Sequence, residues 1–373
     1  MTRPQTPAGV QRPWEVGSAF PLVLPTGSGG SRIPQPARLY GSGRQALMAL
    51  LQFGIREYGW TAVHVPAYYC PPVAHAMAGV LPVLSYDAGP AEGTSPDSVR
   101  PTEVVLAVSY FGIPPTPPGN RGAALIVDAT HDPVAPWLVD LPTEYVVASL
   151  RKTLPLPDGG MLFSPAGHAL PGEAPTDARH AATAARALTA MCIKAAYLAG
   201  GALAKESYLA LYRTSEQDIG AAGVSGPSRY TRLALDALPL DEFRRRRLDN
   251  AARLAHGLPE VPGLAVRVTP FGVICEFDAP AVREAVRQGL VARDIYPAVL
   301  WDLPENAPAR QRAYSQRMLH LVTDFRYRPA DMDRVAVSVR DLAERLGSTA
   351  CAPTGPEVVT HAARPATTRG SAC

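Results

Sequence analysis

The chain has 373 residues, of which 47% are hydrophobic and 18% charged, and its formal net charge is +3. This is enough apolar material for one large domain plus a smaller one, or for two domains, and it argues against global disorder. Lys and Arg are scattered with no basic stripe among aromatics, so no nucleic-acid partner is expected. Five widely spread cysteines without a CxxC pair speak against a zinc site or a disulfide framework and fit a reducing cytoplasm.

In chain order, residues 1–36 are rich in Pro, Gly and Ser and read as an arm with little regular structure; they lack the apolar core of a signal peptide. Next, Tyr40-Gly-Ser-Gly-Arg-Gln-Ala-Leu47 opens a helical pattern over Gln45–Phe53. Short apolar runs follow at Thr61–Pro66, Leu81–Tyr86, Val104–Val108, Ala124–Val127, Tyr145–Ala148 and Gly160–Phe163, with a helical pattern at Pro72–Ala78 between the first two. Continuous apolar runs bounded by turn residues suit strands buried on both faces. The alternation therefore predicts an α/β fold with a mostly parallel sheet covered by helices.

Beyond residue 175 the pattern turns helical to about Arg213, with a loop over Asp218–Ser228 and a further helix over Asp241–His256. The apolar stretch Ala181–Leu211 is interrupted by Arg186, Lys194 and Lys205, too often to span a bilayer, so no membrane contact is expected. Arg244-Arg245-Arg246-Arg247 reads as a solvated helix face or a subunit contact. Strand patterns at Leu264–Val268, Gly272–Phe277 and Met318–Val322, with helices at Ala279–Ala292 and Ala330–Leu346, predict a smaller C-terminal α+β domain. The expected organisation is an arm (1–36), a large domain (37–235), a small domain (236–346) and a disordered tail (347–373).

Four segments carry chemistry. In Ala148-Ser-Leu-Arg-Lys-Thr-Leu-Pro-Leu-Pro-Asp-Gly-Gly160 a strand ends at Ser149, Lys152 follows, and a rigid turn returns to the next strand. That puts Lys152 at the carboxyl end of a sheet, where ligands bind in open α/β folds. A lysine amine in a partly desolvated site loses its proton more readily and attacks an aldehyde. In Ala123-Ala-Leu-Ile-Val-Asp-Ala-Thr-His131 a strand delivers Asp128, a carboxylate able to pair with a protonated ring nitrogen, or simply to cap the turn. Gly41, Ser42 and Gly43 at a helix start let backbone N–H groups face an anion, a phosphate cradle in outline, or are an ordinary helix opening. In Val65-Pro-Ala-Tyr-Tyr-Cys-Pro-Pro72 one of two tyrosines is placed to stack on a flat heterocycle, or both belong to the core.

In this order the four segments resemble the sugar-aminotransferase (DegT/StrS-type) branch of the fold-type-I pyridoxal-phosphate (PLP) enzymes. Arg246-Arg-Leu-Asp-Asn250, Asp294-Ile-Tyr-Pro297 and Asp324-Phe-Arg-Tyr-Arg-Pro-Ala-Asp-Met332 are also similar to that family's C-terminal half. The resemblance implies that Lys152 is the Schiff-base lysine and proton shuttle and that Asp128 is the partner of the pyridine nitrogen. It puts His131 near the ring hydroxyl, Ser149 on the phosphate with Ser42, Gly43 and Arg44, and Tyr69 on the ring face. Tyr68 and Cys70 remain alternatives for that last place. The family's usual Asn-bearing segment corresponds loosely to Ser228-Arg229-Tyr230, and that Asn is absent here.

The implied activity is PLP-dependent transamination from an amino-acid donor to a keto group, of a nucleotide-linked sugar or a natural-product precursor. The implied enzyme is a cytoplasmic homodimer with shared active sites, and no metal is expected. Two other readings stand beside it: a lyase or dehydratase on the same fold, and a non-catalytic partner subunit. His64 and His75 read as structural. Trp301 reads as a substrate contact or as core, and Arg326 as a substrate contact or a structural ion pair.

Overall fold

The computed structural model describes residues 12–24, 33–91, 95–116, 122–258 and 260–350. Its first elements are β1 (Val16–Gly17), β2 (Ala37–Tyr40), α1 (Gly43–Tyr58), β3 (Ala62–Pro66), α2 (Pro71–Ala78), β4 (Val83–Tyr86) and β5 (Glu103–Val108). Then come β6 (Ala124–Asp128), β7 (Tyr145–Ser149) and β8 (Gly160–Phe163). Strands β2 to β8 form one seven-stranded sheet in the order β2-β8-β7-β6-β5-β3-β4. Neighbours from β7 through β4 run parallel, while β8 is antiparallel to both β7 and β2. Every residue of β3, β5 and β8 is buried. That is why these strands are mostly apolar, each buried Val or Leu contributing roughly 1.5–3 kcal/mol, and the two polar residues within them, His64 and Glu103, bond each other.

Helix α1 starts where Ser42 accepts a hydrogen bond from the Gln45 N–H at 3.2 Å, and it stops at Gly59, whose φ of +66° takes the left-handed conformation. Two helices, α3 (Ala178–Leu198) and α4 (Lys205–Ala221), pack against each other, and α5 (Arg229–Ala237) follows. The loop expected from Asp218 is shorter, because α4 continues to Ala221. There Ile219 is buried and the Gly220 carbonyl accepts from Arg44 Nη1 at 2.7 Å, so tertiary contacts extend a helix that propensity would end.

The C-terminal part contains α6 (Leu240–His256), β9 (Leu264–Val268), β10 (Gly272–Phe277), α7 (Pro280–Val291), β11 (Ile295–Tyr296), α8 (Ala309–Arg317), β12 (Met318–Val322) and α9 (Pro329–Ala350). Strands β12-β10-β9 make an antiparallel sheet with its own apolar core, to which Val16 of the N-terminal segment also belongs. Strand β1 pairs with β11, so residues 12–24 carry only a two-residue strand and lie on the C-terminal part. A triad fastens them: the buried Glu15 meets the buried Lys194 of α3 and, at 2.9 Å, the partly exposed Lys205 of α4. The four-arginine run is not one solvated face. Arg245 and Arg246 pair with residues of their own helix, but Arg247 is buried, and it and Arg244 both bind the fully buried Asp132 beyond β6. Of the tail expected over 347–373, residues 347–350 belong to α9 instead, which runs on to Ala350, and the rest lies outside the described residues. Among those described, no helix is long and apolar enough to cross a membrane.

Candidate active site

A cavity of about 550 Å³ opens at the carboxyl ends of β5, β6 and β7 and is closed on the far side by residues of the small sheet and its loops. Lys152, Asp128, His131, Ser149, Ser42, Gly43, Arg44 and Tyr69, expected from the sequence at scattered positions, all line it. Cys70 lines it too, whereas Tyr68 has no exposed surface and packs against Tyr110, Trp301 and Tyr314. Of the three alternatives for the ring face, two therefore reach the cavity.

The backbone explains the convergence. Strand β7 ends at Ser149, one 3₁₀ turn carries Leu150, Arg151 and Lys152, and the chain returns through Asp158 and Gly159, whose φ of +118° favours glycine. Gly159 N–H donates to the Gly41 carbonyl at 2.8 Å, which lays the start of α1 against the Lys152 loop. A Cβ on Gly43 would stand 2.7 Å from the Ser149 nitrogen, so only glycine allows this approach. The N-terminus of α1 and the Ser149 hydroxyl thus border one space. Beside it, the Nε atoms of Arg44 and Arg151 are buried with no hydrogen-bond partner. A helix N-terminus with spare guanidinium donors suits a phosphate.

Asp128 closes β6. Its Oδ1 accepts from Thr130 N–H at 2.9 Å and its Oδ2 from the Tyr69 hydroxyl at 2.6 Å. Burial, and after it the charge of Asp128, pushes the Tyr69 phenol well above its ordinary pKa, so it remains a donor. Two donors hold the carboxylate still and leave lone pairs for a ring N–H.

His131 accepts from the Phe111 N–H through Nδ1 at 2.9 Å, which leaves the hydrogen on Nε2. Its ring stacks on Phe271 at 4.3 Å. Burial, then the charges of His320 and Arg247, lower its pKa to about 3, so it acts as a neutral donor. Phe111, which supplies that N–H, adopts φ +57°, a left-handed conformation that is strained for a non-glycine residue.

Lys152 is 49% exposed onto the cavity yet surrounded by protein charges. The Arg151 guanidinium, then burial, pushes the ammonium below its ordinary pKa, and Glu216 of α4 partly offsets this. Amine, carboxylate, phosphate cradle and aromatic wall fit the group that the sequence resemblance implies.

Arg151, Glu216 and Thr130, whose Oγ1 accepts the Ser149 N–H at 3.0 Å, complete the site and carried no motif of their own. Ser228 turns inward: it caps α5 and bonds Asp158. Arg326 forms an ion pair with Asp324, donates to the Ala19 carbonyl at 3.1 Å and still lines the cavity, as does Trp301. His64 is buried and bonds Glu103 at 2.8 Å, whereas His75 is exposed.

No protein-family model matches the chain, and no curated protein matches it in sequence. Solved structures do resemble it. DesI, determined in the presence of its TDP-sugar product, is 20% identical, with a TM-score of 0.55 over 84% of this chain and 82% of its own. DesV from S. venezuelae, in complex with a ketimine intermediate, is 18% identical, with a TM-score of 0.53 over 83% and 85%. The putative sugar aminotransferase Spr1654 from Streptococcus pneumoniae, in its PLP form, is 12% identical, with a TM-score of 0.55 over 89% and 100%. The chain shares with these proteins the fold that its sequence resemblance implies, that of the fold-type-I enzymes.

Proposed function

We propose that the chain is a PLP-dependent aminotransferase that moves an amine from an amino-acid donor to a keto group, with a sugar as the acceptor class. One observation carries this reading: Lys152 and Asp128, delivered by the neighbouring strands β7 and β6, line one cavity together with the N-terminus of α1. Likeness of fold to sugar aminotransferases supports the acceptor class. When bound, PLP supplies an aldehyde that exchanges amines and a ring that takes up electron density.

The chain's own residues do the rest. Ser42, Gly43 and Ser149, with Arg44, hold the phosphate. Asp128 would accept the ring N–H, and His131 would donate toward the ring hydroxyl. Tyr69, steadied by its bond to Asp128, covers the ring. Lys152 is the residue whose amine would hold the cofactor through its aldehyde, and its amine would serve as the acid–base group that moves the substrate proton. Aromatic walls from Phe271 and Trp301 exclude water, which strengthens the pairing at Asp128. The same reading makes the enzyme a cytoplasmic homodimer with shared active sites.

The test is spectroscopic. Protein loaded with PLP is expected to absorb in the visible and to shift to the pyridoxamine form with at least one amino-acid donor. Lys152→Ala is expected to lower turnover by at least about 10²–10⁴-fold, the size of an acid–base contribution. Bound cofactor that no donor shifts, or full activity in the Lys152→Ala variant, refutes the proposal.

A further inference from the structure

Arg151 and Lys152, adjacent in one turn, meet the same carboxylate, Glu216 of α4. Arg151 takes both oxygens: its Nη2 donates to Oε2 at 3.0 Å and its Nη1 to Oε1. Lys152 Nζ stands 3.7 Å from Oε2, an ion-pair contact beyond hydrogen-bond reach. The helix that presents this carboxylate is held, because the last turn of α4 is tied to α1 by Arg44 and carries the buried Ile219. Arg151 is the more enclosed partner, with a side chain 13% exposed against 50% for Glu216.

We propose that Arg151 and Glu216 are positioning residues that act in opposition to set the reactivity of the Lys152 amine. The guanidinium occupies the carboxylate that would otherwise hold the lysine as a bonded ammonium, and the carboxylate offsets the repulsion between the two neighbouring cations. The inference rests on Lys152 being the residue that binds the cofactor aldehyde. Besides Arg151 on its own turn, the groups facing the amine are Glu216 from α4, Arg44 from α1 and the Cys70 thiol from the loop before α2, with Asp128 lining the same cavity. Arg151 pushes the lysine toward the neutral amine and Glu216 pulls it back. Neutralising one or the other must therefore move its titration in opposite directions, which a merely structural role would not do.

The probe is pyridoxal, which lacks the phosphate and so does not report on anion binding. The neutral amine forms a bond to the aldehyde carbon and water leaves. Cyanoborohydride then delivers a hydride to that carbon, and the nitrogen takes its proton from solvent. Full-length protein freed of cofactor is treated at graded pH, and the adduct on the Lys152 peptide is quantified by mass spectrometry. A unit charge at this distance in a water-filled cavity changes the neutral fraction about fivefold.

Glu216→Gln is expected to raise the adduct about fivefold at pH values below the wild-type midpoint and to lower that midpoint. Arg151→Gln is expected to lower the adduct about fivefold and to raise the midpoint, because Glu216 is released to bond the lysine. A shift of the wrong sign, or none, in either folded variant overturns the inference. Glu216→Ala replaces either variant that does not fold, with the outcome expected for Glu216→Gln. Wild-type protein in which Lys152 labels no better than Lys205 instead refutes the functional reading on which the inference rests.

Discussion

Asp158 is the residue whose loss the structure predicts in most detail. It has no exposed surface, yet its two oxygens receive four donors. Oδ2 accepts from Ser228 N–H at 2.6 Å and from His180 Nε2 at 2.9 Å, and Oδ1 accepts from Ser228 Oγ at 2.7 Å and from Thr231 Oγ1. These bonds join α3, α5 and the loop that carries Lys152. The next residue, Gly159, holds the start of α1. In Asp158→Ala the Ser228 N–H and the His180 ring lose their acceptor, and each loss costs about 1–3 kcal/mol. The hydroxyls can turn to other acceptors and add little, so the sum is roughly 2–6 kcal/mol, a large part of the ~5–15 kcal/mol that holds a typical domain. Asp158→Asn keeps one acceptor oxygen and the side-chain shape and is expected to lose about half as much. Urea unfolding at pH 7 measures both, and PLP binding is expected to weaken in parallel as the cradle loosens. A loss below about 1 kcal/mol for Asp158→Ala would show that these bonds do not hold the loop.

Three further outcomes follow from buried charge. His131 and His320 are both held neutral, burial lowering their pKa values to about 3 and about 4, whereas an unfolded histidine titrates near 6.5. The unfolded chain then binds protons that the folded chain refuses. Stability is full above about pH 6.5 and falls as pH drops toward 4 and then 3, by up to about 1.4 kcal/mol per pH unit for each histidine. Urea midpoints between pH 4.5 and 7 test this, and His320→Gln should halve the slope; a flat profile contradicts it. Lys194 is fully buried against Glu15, so Glu15→Gln strands an ammonium and is expected to cost about 3–5 kcal/mol, most of it recovered in Glu15→Gln/Lys194→Met. Equal melting temperatures for the wild type and Glu15→Gln would disprove that anchoring. Tyr69→Phe removes one donor from Asp128 and is expected to weaken PLP binding about fivefold, about 1 kcal/mol, by equilibrium titration; unchanged affinity would leave Tyr69 with packing alone.

Some of this was legible along the chain. The buried strands β3, β5, β6, β7 and β8 appear as apolar runs because both sheet faces are covered, and Lys152 and Asp128 stand out because each follows such a run. The ends of α4, the existence of α5 and α8, and the two-residue β1 and β11 were not legible. They are too short or too polar to announce themselves, and they form because a distant partner satisfies them, as Arg44 does for the last turn of α4.

The order of strands and glycines along the chain determined by itself which chemistry is available: an amine and a carboxylate after successive apolar strands, and a helix opened by Ser42 and Gly43. Tertiary structure alone decided what those groups do to each other. The contact of Arg151 and Lys152 with Glu216 spans 65 residues for the guanidinium, and that of Tyr69 with Asp128 spans 59. The tautomer of His131 depends on one strained backbone N–H at Phe111. Local sequence sets backbone periodicity and caps, but charges and lone pairs act through space, and only the closed fold brings them within a few ångströms of each other.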